Sequence, residues 1–217
     1  MSENDPILAS NKGKRFRLWT DFGTFFEETL RPVVAEFVGT MFFVFIGTMS
    51  VAGAGGMLGV ATAHGLIITI IVAALADISG GHVNPAVTFA LFLTGVINPL
   101  NAALYVLSQL AGSITGAALT RGILSKTTYV SIAGGATMLG PDTTVAEGFL
   151  AEIVLTSILI LTILLTGVDN STKTSLAPIA IGFAVIVNIL AGWVFATEAA
   201  VAAAVIVNIL AGWVFAT

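Results

Sequence analysis

One apolar run in this chain is too short to cross a bilayer, and it begins at Asn84-Pro85. A membrane helix needs roughly 20 apolar residues. The neighbouring runs meet that need, which predicts spans at 33–51, 60–76, 101–119, 149–168 and 176–195, with a further apolar run at 199–217. The run from Asn84 to Gly95 does not. Backbone that breaks at membrane depth is tolerated only where it is buried in protein or lines water. The short run therefore reads as a re-entrant half-helix inside an all-α membrane protein.

The local sequence supports that reading. Asn is a favoured helix N-cap, and Pro at the first helical position has its φ already set and no N–H to leave unpaired. Ser79-Gly80-Gly81-His82-Val83 precedes the cap, and its two glycines permit a sharp bend and close approach to a ligand. A helix N-terminus aimed into a membrane cavity offers unpaired N–H donors and a partial positive charge. It suits a small polar solute and repels cations.

Composition agrees: 57% of residues are hydrophobic, 9% are charged, and mean hydropathy is +1.02, against about 25% charged in a soluble domain. The absence of cysteine excludes disulfides and thiolate sites. With two histidines in all, no metal site is expected, nor any cofactor or nucleic-acid partner. No reactive triad or phosphate loop is present, so the chain reads as no enzyme.

Residues 1–32 form a polar tail carrying Lys12, Lys14, Arg15, Arg17 and Arg31, five of the eight basic residues. This cluster places the N-terminus in the cytoplasm by the positive-inside rule. Residues 33–197 read as one transmembrane domain of five spans plus one half-helix. Gly112 and Gly116 have the small-xxx-small spacing of a helix seam, and ordinary small-residue content explains them equally well.

The domain repeats internally. Ala35-Glu36-Phe37-Val38-Gly39-Thr40 resembles Ala151-Glu152-Ile153-Val154-Leu155-Thr156, 116 positions on, and Ala63-His64-Gly65-Leu66 resembles Ala180-Ile181-Gly182-Phe183, 117 positions on. Three spans separate the copies, so they enter from opposite sides. Such inverted repeats place their site near the midplane, where broken helices meet. Asn84, Pro85 and Ala86 should then recur at Val201, Ala202 and Ala203, and they do not. Instead, the 14 residues Ala184–Thr197 recur identically at Ala204–Thr217. Residues 198–217 read as an anomalous segment, a recent duplication or an error of sequence assembly, rather than a true sixth span.

These residues resemble the aquaporins, or major intrinsic proteins. The resemblance rests on Ala35–Thr40, Ile78–Thr88, Gln109-Leu110-Ala111-Gly112 and Ala151-Glu152. Ala63-His64-Gly65 and Asn188–Gly192 resemble the tonoplast intrinsic and aquaporin-eight groups. It implies an inverted-repeat bundle that conducts water passively, with ammonia or other small neutral solutes as further permeants, while excluding protons and ions. It implies a homotetramer in the lipid bilayer, a pore constriction at Asn84, Pro85 and Ala86, and His64 and Ile189 in the selectivity filter. The arginine that this family usually places after its second Asn-Pro-Ala motif falls near Ala204, leaving the filter incomplete.

Within that frame, the carbonyls of Gly80, Gly81 and His82 would form an acceptor ladder. Glu36 and Glu152 are expected to brace re-entrant loops by accepting backbone N–H bonds, and Asp77 to cap or neighbour the loop. Two competing readings remain. One is a non-conducting membrane subunit that co-assembles with full-length relatives, suggested by the missing motif. The other is an ion-coupled transporter that uses Glu36 and Glu152 as proton relays.

Overall fold

The structure, a computed structural model, describes residues 22–136 and 138–192. Among them it is helical, with no β-strand. Five long helices and one half-helix carry the fold: α1 (Arg31–Val51), α2 (Gly56–Leu75), the half-helix α3 (Pro85–Leu93), α4 (Pro99–Ile123), α6 (Val145–Ile163) and α7 (Ala177–Gly192). A short helix, α5 (Lys126–Ser131), lies between α4 and α6. Four of the helices, with their extensions, are long and apolar enough to cross a membrane, while the described part of α7 is shorter.

Helices cover the stretches expected as spans, with different ends, and the stretch expected as the fifth is described only over Ala177–Gly192. The first helix is described from Phe22 and passes through a π-turn at Phe26–Leu30 before α1, so the described end of the polar tail is helical. The Arg31–Glu27 ion pair at 2.6 Å joins residues four apart across that extension, a helix-favouring spacing. The expected loop 121–145 is shorter than predicted. The α4 helix continues to Ile123, Ser125 caps α5 by accepting from the Thr128 N–H, and Thr144 with Glu147 forms a capping box at the start of α6. The expected end of the fifth span at Phe195, residues 1–21, and the duplicated segment 198–217 lie outside the described residues.

Glycines set the two tightest helix crossings. On α4, a Cβ at Gly112 would strike the Phe37 carbonyl oxygen, and one at Gly116 would lie 2.5 Å from the Met41 oxygen of α1. The small-residue spacing is therefore a packing seam. On α2 and α7 the arrangement is reciprocal: a Cβ on Gly65 would lie 2.6 Å from the Gly182 oxygen, and a Cβ on Gly182 would lie 2.6 Å from the Gly65 oxygen. These two glycines are the pair matched by the internal repeat, so corresponding positions of the two halves meet.

The core lies between these seams. Phe43, Ile68, Val72, Val185 and the fully buried Ile189 belong to one apolar cluster. By contrast, the helix containing α6 leaves most of its surface uncovered: 11% of its apolar window is buried, against 39–44% for the other three spanning helices. In a bilayer, a face of this kind can meet lipid or another helix at no hydrophobic cost.

Candidate functional site: a braced half-helix on a small cavity

The half-helix starts where the sequence predicts. Asn84 is the N-cap, with extended backbone (φ −153°, ψ 125°), and its Oδ1 accepts the Ala86 N–H at 2.8 Å. Pro85 occupies the first turn. Because Oδ1 is committed to the helix, the side-chain amide is oriented and turns its Nδ2 donor end away from the cap bond.

The loop before the cap is strained, and one carboxylate holds it. Gly80 and Gly81 have φ of 89° and 62°, and Val83 has φ of 40°. A β-branched residue in this region is a genuine outlier, costing on the order of 1–3 kcal/mol, and persists only where its surroundings over-determine it. Glu36 supplies that determination. Its Oε1 accepts the Ser79 hydroxyl at 2.6 Å and the His82 N–H at 3.0 Å. Its Oε2 accepts the Val83 N–H at 2.7 Å and the Gln109 Nε2 at 2.7 Å. Each partner donates and none accepts, so the pocket suits an ionised carboxylate, an acceptor-only group. Glu36 thus accepts two backbone N–H groups of the loop as well as two side-chain donors, and a proton relay would have to break four bonds to operate.

The brace extends further than the sequence reading foresaw. Gln109 also donates to Thr88 Oγ1 at 2.8 Å, tying α4 to the half-helix. Thr88 Oγ1 and His82 Nδ1 are 3.1 Å apart, the Tyr105 hydroxyl donates to the Ser79 carbonyl at 3.0 Å, and the His82 and Tyr105 rings meet edge-on. The His82 side chain therefore braces the loop. Tyr105 and Gln109 are four apart on one face of α4, but Ser79 and Thr88 come from two other segments, so no local pattern could have grouped all four. Gly39 belongs to the repeated stretch, but its steric role shows only in the fold: a Cβ there would lie 2.6 Å from the Val83 side chain. It is the notch that admits the loop. The matching position in the second half is Leu155.

The loop and half-helix bound a cavity of about 40 Å³. One water needs about 10–15 Å³ by this measure, so it has room for about three or four. Gly80, Gly81, His82 and Asn84 form one wall, and Phe43, Val72, Ile181 and Leu159 contribute to the apolar remainder. Ile181 is the repeat partner of His64.

His64 and Ile189 do not lie on this cavity wall. His64 is buried with its Nδ1 2.9 Å from the Val60 carbonyl oxygen, its Nε2 packed against Gly47, and its ring edge-on to Phe43. Phe43 does line the cavity, so one ring separates His64 from it. Glu152 is partly buried and makes no hydrogen bond with a described residue. Asn188, buried within the bundle, donates to the Leu155 carbonyl at 2.8 Å, while its Oδ1 has no partner among the described residues. Asp77 is exposed and forms no side-chain bond with a described residue, so it neighbours the loop without capping it. Among the described residues, no cluster of three or more histidine or acidic side chains could hold a metal ion.

This arrangement, a polar half-helix tip and a braced loop inside a spanning bundle, has known counterparts. Residues 26–215 match the sequence profile of the family described as "Major intrinsic protein". The chain belongs to the major intrinsic protein family. It is 39% identical over 191 residues to aquaporin-8 of Rattus norvegicus, covering 85% of this chain and 73% of that protein. It is 38% identical over 183 residues to aquaporin PIP2-4 of Zea mays, covering 74% of this chain and 63% of that one. The X-ray structure of the aquaglyceroporin from Plasmodium falciparum shares the fold, with a TM-score of 0.68 at 20% identity, covering 86% of this chain and 83% of that chain. As a member of the major intrinsic protein family, the chain is an integral multi-pass membrane channel for water and small solutes, and not an enzyme.

Proposed function

We propose that the chain conducts water passively under an osmotic gradient, admits ammonia as a second small neutral solute, and excludes protons and ions. The observation that carries this reading is Asn84 on the cavity wall with its Oδ1 fixed by the half-helix. Its amide donor end can bond a passing water's oxygen, and the half-helix tip adds roughly half an elementary positive charge. A water held through its oxygen cannot also accept a proton from its neighbour. A cation meets both an unfavourable field and an apolar far wall.

Gly80, Gly81 and His82 supply the acceptors on this side of Asn84, with Pro85 and Ala86 opening the helix that carries the constriction. His64 and Ile189, behind the wall in the described bundle, set the width and polarity of the filter at the other end. By the repeat, Glu152 would brace a second loop as Glu36 braces the first. The Lys and Arg cluster places the N-terminus in the cytoplasm, and four copies assemble with one pore each, the uncovered face of α6 against a neighbouring copy.

Stopped-flow swelling of proteoliposomes tests the central claim. Purified, folded protein should raise water permeability well above that of empty vesicles without raising proton leak. No rise, with helicity intact by circular dichroism, would overturn it. The non-conducting subunit is the second reading, favoured by the absence of a second Asn-Pro-Ala at 201–203. It predicts flux only after co-reconstitution with a conducting relative.

A further inference from the structure

Two buried polar side chains stand just past the cavity, and an atom of each is unused. Asn188 is 2% exposed, and its Oδ1 has no hydrogen-bond partner among the described residues. Native structures pair nearly every buried polar atom, so such an orphan calls for an explanation. Its place in the bundle supplies one. On α7 the cavity wall takes Ile181 and Val185, and the same stripe continues one turn on to Asn188 and Ile189. On α2 it takes Val72 and Ile68, and the next residue along that stripe is His64. On α6, Leu159 leads in the same way to Leu155, and on α1, Phe43 leads to Gly47. Two contacts join these continuations: His64 Nε2 packs on Gly47, and Asn188 Nδ2 donates to the Leu155 carbonyl at 2.8 Å. Gly65, next to His64, meets Gly182 and Ile186 of α7, which ties the two pairs of helices together. Asn188 and His64 therefore share a level one helical turn, roughly 5 Å, beyond the cavity wall.

Each side chain is pinned through one atom. Asn188 commits its Nδ2 to α6, and the planar amide turns Oδ1 away from that carbonyl. An amide oxygen can only accept. His64 Nδ1 lies 2.9 Å from the Val60 carbonyl oxygen. A carbonyl cannot donate, so Nδ1 carries the proton, and in the neutral ring Nε2 is left as an acceptor. That Nε2 makes no hydrogen bond with a described residue. These two side chains thus present two acceptors, with the apolar Ile189 next in the chain and the Phe43 ring edge-on to His64. Lipid tails cannot answer an acceptor, and exposures of 2% and 3% keep both residues from the outer surface of the bundle. A small molecule inside the bundle that brings N–H or O–H hydrogens can answer both.

We infer that Asn188 is a solute-contacting, specificity-determining residue: its Oδ1, with His64 Nε2, forms a second station that takes the hydrogens of a small neutral O–H or N–H solute. The assignment rests on the reading of the chain as a path for such solutes and adds a condition to it. At Asn84 a solute is held through its lone pair. At Asn188 it is held through its hydrogens. Water and ammonia can do both. A solute of similar size without N–H or O–H leaves Oδ1 buried and unpaired, and a site built on a hydrogen bond rejects the analogue lacking it for that reason.

Two measurements on the full chain in vesicles test the assignment. Water-edited solid-state NMR reads whether water touches Oδ1. Magnetisation passed from water should reach the Asn188 Cγ, identified by its loss in Asn188→Leu, about as fast as it reaches exposed Asn98 and faster than it reaches the buried Val44 methyls. Stopped-flow swelling reads the consequence. Asn188→Leu should lower water flux about two- to tenfold, the worth of one neutral hydrogen bond. Its resistance to dodecyl sulfate should not fall, because a half-paired buried group is removed and the Leu155 carbonyl, inside α6, keeps its helical N–H. A Cγ as dry as Val44 would overturn the inference. So would wild-type flux in Asn188→Leu, or a loss of stability in step with the loss of flux, which assigns Asn188 to packing. A wild-type chain that passes no water refutes conduction, and the Cγ signal then decides the station by itself.

Discussion

Removing the Glu36 carboxylate tests the site at its most connected point. Four donors converge on it: the Ser79 hydroxyl, the Gln109 amide, and the His82 and Val83 N–H groups. In Glu36→Ala, the hydroxyl and the amide can rotate to new partners. The two backbone N–H groups cannot, since the loop fixes them. A buried donor left unpaired costs about 1–3 kcal/mol, so Glu36→Ala should lose about 2–6 kcal/mol of local stability, before the strain at Val83 is counted. Glu36→Gln should cost about half as much. Its remaining oxygen keeps Ser79 and His82, and its new NH₂ faces the Val83 N–H and Gln109. Gln109 can answer by turning its amide, because its Oε1 has no partner and would then accept. The Val83 N–H stays orphaned, and the turned Gln109 gives up its donation to Thr88 Oγ1. The assay pairs stopped-flow water permeability with unfolding in rising dodecyl sulfate, followed by circular dichroism. The expected order in both is wild type, then Gln, then Ala, with the Ala protein retaining most of its helix and losing most of its flux. Wild-type stability and flux in Glu36→Ala would refute the brace, and Gln as damaging as Ala would refute the rescue by Gln109.

Three further outcomes follow from the same geometry. Asn84→Asp keeps the cap oxygen but puts a negative charge in place of the amide donor, so proton or cation leak should rise and water flux fall; unchanged permeability to both would remove Asn84 from the constriction. Gly65→Val pushes side-chain atoms into the Gly182 carbonyl, where even a Cβ would lie at 2.6 Å; overpacking of this kind costs typically about 1–3 kcal/mol, read as earlier unfolding in dodecyl sulfate, and wild-type resistance would refute a rigid crossing. His64→Phe removes the bond to the Val60 carbonyl and narrows the filter, so ammonia flux should fall relative to water; an unchanged ratio, from ammonia-driven alkalinisation of the vesicle lumen, would place His64 outside the filter.

The internal repeat had a different fate in each half. The match of Gly65 with Gly182 was legible as a weak pattern, and the structure turns it into a physical contact, each glycine facing the other's carbonyl. The match of Glu36 with Glu152 was equally legible, yet only Glu36 has partners among the described residues. Gly39, one helical turn beyond Glu36, opens the space that Val83 enters, whereas the segment that the repeat would set beside Glu152 lies outside the described residues. An acid at the right offset says that a brace is available, and the neighbouring side-chain volume says whether a loop fits beside it.

The Asn84-Pro85 start, the too-short run and the flanking spans were determined by the sequence alone, because cap chemistry and bilayer thickness act on consecutive residues. The same locality explains why Gly112 and Gly116 could be noticed but not assigned: their spacing is local, whereas their partners, Phe37 and Met41, belong to another helix. Ser79, Thr88, Tyr105 and Gln109 became one network only through tertiary structure. Buried donors and acceptors must be matched across whatever segments folding brings together, and no spacing along a chain encodes that. Tertiary structure likewise set Phe43 and Ile181 on the cavity wall and left His64 one ring behind it, because which side of an apolar helix faces a void is decided by the packing of all its neighbours.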